Sequence, residues 1–268
     1  MKTASIVARS GSKPIRLRKI DPDATGGATK ESAARRLEKI GADLSELQQI
    51  LYAEHRRSLL IIFQAMDTGG KDGAIKSLCA GLNPSGIVLT NFKAPTATEL
   101  DHDFLWRAHH AVPGAGMIGI WNRSHYEDVL VVRVHRLAPA AVWRRRFDQI
   151  NSFESILAAN GVTIIKFMLH ISRDEQKERL QARLDDPKKW WKFNPHDLED
   201  RARWKDYEDA SEEVIRRCST EHAPWHIVPA NRKWFRNLIV GETVLGVLEK
   251  LRPRYPKPAF DPKAIRIE

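Results

Sequence analysis

Five consecutive apolar residues, Leu59-Leu60-Ile61-Ile62-Phe63, are followed closely by Thr68-Gly69-Gly70-Lys71 and then by Ile75, Leu78 and Leu82 at helical spacing. The apolar run is short and partly β-branched, the pattern of a strand buried on both faces. The glycines mark a turn. Strand, glycine turn and helix in this order form the first arm of a βαβ unit, and such units build parallel sheets covered by helices.

The rest of the chain repeats the alternation. Ile87 to Thr90, Met117 to Trp121, Thr163 to Ile171 and Trp225 to Val228 are predicted strands. Helices are predicted at Thr98 to Ala111, Pro139 to Asn160 and Arg232 to Leu251. Before the first strand, Leu37, Ile40, Leu44, Leu47 and Leu51 recur at steps of three and four, one apolar helical stripe. That stripe packs either on its own domain or on a second subunit. The pattern predicts an α/β fold, a parallel sheet flanked by helices, whose ligands bind beyond the carboxyl ends of the strands. Residues 1–29 are predicted to be an irregular lead-in. Residues 30–268 are predicted to form a single domain that begins with a helix over 30–57. From Arg173 to Glu221 no strand is predicted. The stretch is charged, helical and rich in Trp, and reads as a lid over about 173–221.

Composition bounds the partners. The 268 residues carry 44 Lys and Arg against 34 Asp and Glu, a formal charge of +10 that calls for an anionic partner without naming it. Cys79 and Cys218 have no metal-type spacing and are expected to be buried, reduced thiols. The basic N-terminus lacks the apolar stretch of a signal peptide, and no segment reaches the ~20 apolar residues of a membrane span. A cytoplasmic protein is expected. His109, His110, His125 and His135 show no metal spacing. Trp190, Trp191, Trp204 and Trp225 are expected in the core rather than on a nucleobase.

Two segments carry the chemistry. In Gln64-Ala65-Met66-Asp67-Thr68-Gly69-Gly70-Lys71-Asp72-Gly73 the loop amides, the helix N-terminus and Lys71 suit phosphate oxygens. The match to G-x-x-x-x-G-K-[ST] is incomplete, since Ala65 and Asp72 replace the first Gly and the hydroxyl residue. Asp67 offers a carboxylate oxygen to magnesium in place of that hydroxyl. On these residues alone, phosphate binding and an ordinary glycine-rich turn both stay open. The second segment, Trp121-Asn122-Arg123-Ser124-His125-Tyr126-Glu127-Asp128, follows a strand. As a site it presents Asn122 as a neutral oxygen ligand and Arg123 as a bidentate phosphate donor, but on its own it reads more readily as a surface ion-pair cluster around Glu127 and Asp128.

Together with FKAPTATELDHDFLWR at 92–107, WNRSHYEDVLVVRVH at 121–135, LDDPKKWWKFNPHDLEDR at 184–201 and APWHIVPANRKWF at 223–235, these segments resemble the polyphosphate kinase 2 family. The resemblance runs from about Leu59 to Val240. It implies a P-loop kinase-like sheet with a helical lid, and transfer of the terminal phosphoryl of inorganic polyphosphate to ADP and AMP. Asn122, where other members carry Asp, resembles the class acting on both nucleotides. The resemblance also implies residue roles. Asp67 and Asn122 would hold the metal, magnesium or manganese. Lys71 would hold the phosphoryl group, and Arg123 would neutralise the developing charge. Gly69, Gly70, Lys71, Asp72, Gly73, Arg123 and Arg133 would bind phosphate, and the lid would add Arg179, Arg183, Lys189 and Lys192. Each lid cation is open between direct contact and a solvated helix face. The expected partners are polyphosphate, AMP, ADP, ATP and further copies of the chain, with no specific nucleic acid and no membrane. An ATP-dependent kinase of the thymidylate-kinase type and a basic nucleic-acid-binding protein are the competing readings.

Overall fold

The computed structural model describes residues 6–8 and 14–267. In chain order the elements are β1 (Ile6–Val7), α1 (Lys30–Glu54), β2 (Ser58–Ala65), α2 (Lys71–Cys79), β3 (Ile87–Asn91), α3 (Ala97–Leu100), α4 (Trp106–His110) and β4 (Ile118–Asn122). They continue with α5 (Val131–Val134), α6 (Ala140–Ala159), β5 (Val162–His170), α7 (Arg173–Leu184), α8 (His196–Ala202), α9 (Trp204–Cys218), β6 (Trp225–Pro229) and α10 (Lys233–Leu251). Among the described residues the sheet has six strands in the order β1-β6-β5-β2-β4-β3. All neighbours are parallel except the short β1, which runs antiparallel to β6.

The apolar run that opened the sequence lies at the centre of this sheet. β2 pairs with β4 on one side and β5 on the other. Its residues alternate between faces, as the two-residue period of a strand requires. Leu59, Ile61 and Phe63 join the core beneath α1, α2 and α10, while Leu60 and Ile62 join the core beneath α6. Phe63 stacks on Phe167 of β5 with ring centroids 5.2 Å apart.

The helix expected over 30–57 ends at Glu54, and His55 closes it in the left-handed conformation at φ 50°. Thr29 and Ser32 cap its start reciprocally. Its stripe is spent within the domain: Ile40, Leu44 and Leu51 are buried with α10, and Arg36 pairs with Glu242. The helix expected from Thr98 to Ala111 is two short ones. Thr96 rather than Thr98 caps the first. Asp103 Oδ1 then accepts from the Leu105 amide, a local turn that competes with continuation of the helix.

Part of the expected irregular lead-in, residues 1–5 and 9–13, lies outside the described residues. Elsewhere it is partly ordered: Ile6 and Val7 pair with β6, and Leu17 is buried with its amide on Glu212 Oε1 at 2.8 Å. The charged stretch 173–221 is not uniform either. α9 belongs to the body, because Tyr207, Ala210, Val214, Ile215 and Cys218 line its core beside α6. Cys218 is buried, and burial pushes its thiol up to about 12, whereas Cys79 is only half-buried. Trp225 is fully buried and Trp204 packs on the core. Trp190 and Trp191 are not core residues; they stand 59% and 78% exposed beyond α7. No helix among the described residues is long and apolar enough to cross a membrane.

Burial also leaves an acid-sensitive spot. His226 of β6 lies beside Phe167, and desolvation, aided by Lys250, lowers its pKa from 6.5 to about 4. A lowered imidazole pKa means that the unfolded chain binds more protons. Its contribution is therefore complete above about pH 6.5 and is lost as pH falls towards 4, by at most about 3 kcal/mol. His226→Gln is expected to shrink the difference in melting temperature between pH 7.5 and pH 5. An unchanged difference in a thermal melt would exclude His226 as the cause.

Candidate functional site

Because five strands are parallel, their carboxyl ends share one side of the sheet, and each delivers part of one cleft. β2 delivers the loop 66–70 and Lys71, β3 ends at Asn91, and β4 ends at Asn122, next to Arg123. β5 leads into α7, and β6 leads into α10. The cleft is lined by the loop from Asp67 to Gly73, by Asn122 and Arg123, by Arg179, Arg183, Lys189, Lys192 and Asp197, and by Lys233 and Arg236. It encloses about 1360 Å³, open mouth included. Eight cations face three carboxylates there, so much of the chain's excess charge converges on one place.

The loop is shaped for an anion. Thr68 and Gly70 both take positive φ, at 61° and 98°, and the Gly69 amide donates to Met66 O at 2.9 Å. These turns bring the chain into α2 with Gly70 as N-cap, leaving the first amides of the helix turned to the cleft. Lys71 is the first residue of α2 and is buried, and its Nζ donates to Ala65 O at 3.1 Å. Burial lowers its pKa, and Arg123 adds to that; Asp67, Glu127 and Asp72 oppose. Asp72 does not serve phosphate with its side chain, since a carboxylate repels an anion. It accepts from Asn122 Nδ2 at 2.8 Å. The same Nδ2 donates to Asn91 Oδ1 at 2.9 Å.

Arg123 is held twice. Its Nη2 donates to Asp67 Oδ1 at 2.7 Å, and its Nη1 stands 3.6 Å from Glu127 Oε2. Glu127 and Asp67 raise its pKa against the effect of burial. Burial would raise the pKa of Asp67, but Lys71 and Arg123 outweigh it and hold the carboxyl below its usual range. The oxygen donors here suit a hard divalent cation: Asp67, Asn122 Oδ1 and Thr68 Oγ1, the last buried without a hydrogen-bond partner among the described residues. Among the described residues no three His, Cys, Asp or Glu side chains converge as a metal cage.

The lid cations divide. Arg179 is spent on structure: it donates to Thr68 O, Ala230 O and Asn231 O and pairs with Glu175. Arg183 donates to Lys192 O and to Asp197 Oδ2. Burial, with the nearby charge of Asp67, raises Asp197 to about 6. Lys189 pairs with Asp186, and Lys192 lies over Trp191 at 4.8 Å. Arg133 is not in the cleft, contrary to expectation. α5 carries it away from the loop, onto Glu213 Oε2 at 2.6 Å and over Trp143.

Arg236 was not foreseen. It is 3% exposed and lies against Gly70 and Gly73. Its side-chain hydrogen bonds go to Asn237 Oδ1, and no carboxylate pairs with it among the described residues. Burial, with Arg179 nearby, lowers its pKa to about 10. A buried guanidinium without a counterion is costly unless an anion comes to it. Its place after β6, with Lys233 three residues earlier, is the signal that the sheet rule offers. Gly70→Ala is expected to cost about 1–3 kcal/mol through the left-handed backbone alone. Its Cβ would also overlap Arg236 Nη1. A urea midpoint equal to wild type would contradict this packing.

Comparisons with known proteins agree with the geometry. Residues 27–256 match the family profile described as Polyphosphate kinase 2 (PPK2). The chain is 49% identical over 254 residues to the AMP/ADP-polyphosphate phosphotransferase of Meiothermus ruber, covering 94% of this chain and 95% of that one. It is 47% identical over 226 residues to the ADP-polyphosphate phosphotransferase of Rhodopseudomonas palustris, covering 80% and 78%. The crystal structure of polyphosphate kinase 2 from Arthrobacter aurescens TC1 superposes with a TM-score of 0.92 at 46% identity, covering 97% of this chain and 96% of that one.

Proposed function

Because this chain belongs to the polyphosphate kinase 2 family, we propose that it transfers the terminal phosphoryl group of inorganic polyphosphate to ADP, and also to AMP. The observation that carries the reading furthest is the charge of the cleft lining, eight cations against three carboxylates, with no carboxylate on Arg236 among the described residues. A chain of phosphates supplies the missing anions. The relatives' names support both acceptors, and Asn122 at the end of β4 favours the class that uses both.

The chemistry needs little from the protein beyond positioning and neutralisation. The attacking atom is a terminal phosphate oxygen of the nucleotide, ionised at neutral pH, so no strong base is required. The obstacle is repulsion between two polyanions. Gly69 to Gly73 hold phosphate oxygens on backbone amides, and Lys71 follows the phosphoryl group as it passes. Arg123, kept in place by Asp67 and Glu127, neutralises the charge that spreads over the equatorial oxygens. Arg183, Lys189, Lys192, Lys233 and Arg236 hold the remainder of the donor chain. Magnesium, or manganese in its stead, would be held by Asp67 and Asn122; when bound it supplies further charge neutralisation at the phosphates. One phosphoanhydride is exchanged for another, so the reaction runs in both directions. A cytoplasmic setting fits these substrates. We also expect a homo-oligomer, built on surfaces other than the α1 stripe.

Donor dependence tests the reading. Purified protein with magnesium and ADP is expected to form ATP only when polyphosphate is added, and with AMP to form ADP under the same condition. Turnover that needs a nucleoside triphosphate instead would favour an ATP-dependent kinase and overturn the proposal.

A further inference from the structure

A fully buried polar cluster outside the cleft belongs to none of the roles above. Lys166 lies in the middle of β5 and is fully buried. Its Nζ donates to Tyr126 Oη at 2.7 Å, to Glu154 Oε2 at 2.5 Å and to Cys218 O at 2.6 Å. Those three acceptors use all the protons of an ammonium group. Tyr126 Oη donates in turn to Glu154 Oε1 at 2.8 Å. Tyr126 and Glu154 are also fully buried, as is the neighbouring His125, whose pKa burial lowers and whose Nε2 stands 3.5 Å from Glu154 Oε1. The cluster ties together β5, α6, the C-terminus of α9 and the turn at His125–Asp128.

Stability alone is a poor reason for such a cluster. A buried ion pair is often no more stabilising than apolar side chains of similar volume. What directional bonds add is a fixed position. The turn held by Tyr126 is the one that aims Arg123. Arg123 begins it in the left-handed region at φ 61°, with its amide on Phe63 O at 3.0 Å. Ser124 Oγ accepts from Gln64 Nε2 and from the Tyr126 amide. Glu127, the residue after Tyr126, is one of the two carboxylates that hold the Arg123 guanidinium. A non-glycine residue persists in that backbone region only where its surroundings over-determine it.

We propose that Lys166, Glu154 and Tyr126 are positioning residues that fix the turn carrying Arg123 and Glu127, and so hold the Arg123 guanidinium against the reacting phosphates. The inference rests on the role given to Arg123 in the proposed function. Through Cys218 O the same ammonium is bonded to the end of α9, so the turn is referenced to the helix that follows the lid. A shift of about 1 Å at a charged catalytic group is enough to cost about 10²-fold in rate.

Melting, kinetics and NMR of designed variants test this. Lys166→Met alone strands Glu154 and invites misfolding, so the decisive variant is the charge-neutral pair Lys166→Met with Glu154→Leu. It still leaves Tyr126 Oη and Cys218 O without these partners, so its melting temperature is expected to fall while the protein stays folded, and its kinetics are read well below that temperature. Its kcat is expected to fall by about 10²-fold, with KM for polyphosphate and nucleotide within about twofold. Tyr126→Phe, which removes one hydroxyl, is expected to lower kcat by about tenfold in the same way. In an Arg123→Ala background the double change is expected to cost less than about twofold, because its effect passes through Arg123. A folded double variant with wild-type kcat overturns the proposal, as does an undiminished loss in the Arg123→Ala background. NMR of the Arg123 Nε–Hε group gives a readout independent of turnover. Its signal is expected to shift or broaden in the double variant, and an unchanged signal overturns the proposal even if polyphosphate proves not to be the donor. Lack of polyphosphate-dependent turnover in wild type overturns the proposed function alone.

Discussion

Lys71→Met is expected to lower kcat by about 10²–10³-fold while the protein stays folded. The side chain is buried at the start of α2, beside the loop amides, and its position follows from local chain geometry rather than from a distant partner. Its role is electrostatic, and methionine keeps the length of the stem without the charge. The lowered pKa fixes the sign of the stability effect. An ammonium group whose pKa falls on folding is less comfortable in the folded chain than in water, so its removal relieves a cost. The urea midpoint is therefore expected to equal or exceed that of wild type. Turnover within tenfold of wild type, in a steady-state assay of ATP formation, would remove Lys71 from the reaction.

Arg123→Lys is the second large effect. The substitution keeps the charge and is expected to lose about 10²-fold or more in kcat, with Arg123→Ala losing about 10³-fold. The reason is geometric. The planar guanidinium reaches Asp67 with one nitrogen and faces Glu127 with the other, and an ammonium cannot keep both and still face a phosphate. Both variants retain a side chain at φ 61°, so any backbone strain is common to them and wild type. Measured kcat for Arg123→Lys equal to wild type would show that charge alone suffices.

The parts of this architecture that could be read from the chain were those with a local cause. β2 was legible because a strand buried on both faces becomes an unbroken apolar run, β5 because its apolar run is interrupted only at Lys166 between Ile164 and Leu169, and the loop because glycine at positive φ leaves a mark in composition. Asp67, Lys71, Asn122 and Arg123 come together because they sit at the ends of neighbouring parallel strands, as the alternation of strands and helices implied. Arg236 was invisible for the opposite reason. On α10 it is one arginine in a mixed stretch, and only the fold presses it against glycines some 160 residues earlier. Arg133 failed in the same way: a motif neighbour of Arg123, it leaves the cleft because α5 turns it towards α9. Trp190 and Trp191 were expected inside on hydrophobicity, yet the short turn at Pro187–Lys192 stands clear of the core.

The hydrogen bonds of Arg179 have a mechanical consequence. The guanidinium nails the middle of α7 to the phosphate loop at Thr68 and to the chain after β6 at Ala230 and Asn231, so that part of the helix is a fixed post. A hinge for opening and closing is expected beyond it, near Asp185 and Asp186, where α7 gives way to the turn at Pro187–Lys192. The piece left to travel is then the turn alone, carrying Lys189, Lys192 and the exposed tryptophans, because α8 is tied back through Arg201 to Arg173 O and through Asp200 to His135. Substrate would enter and leave past a short flap, while the root of that flap keeps the floor of the cleft in shape through every cycle.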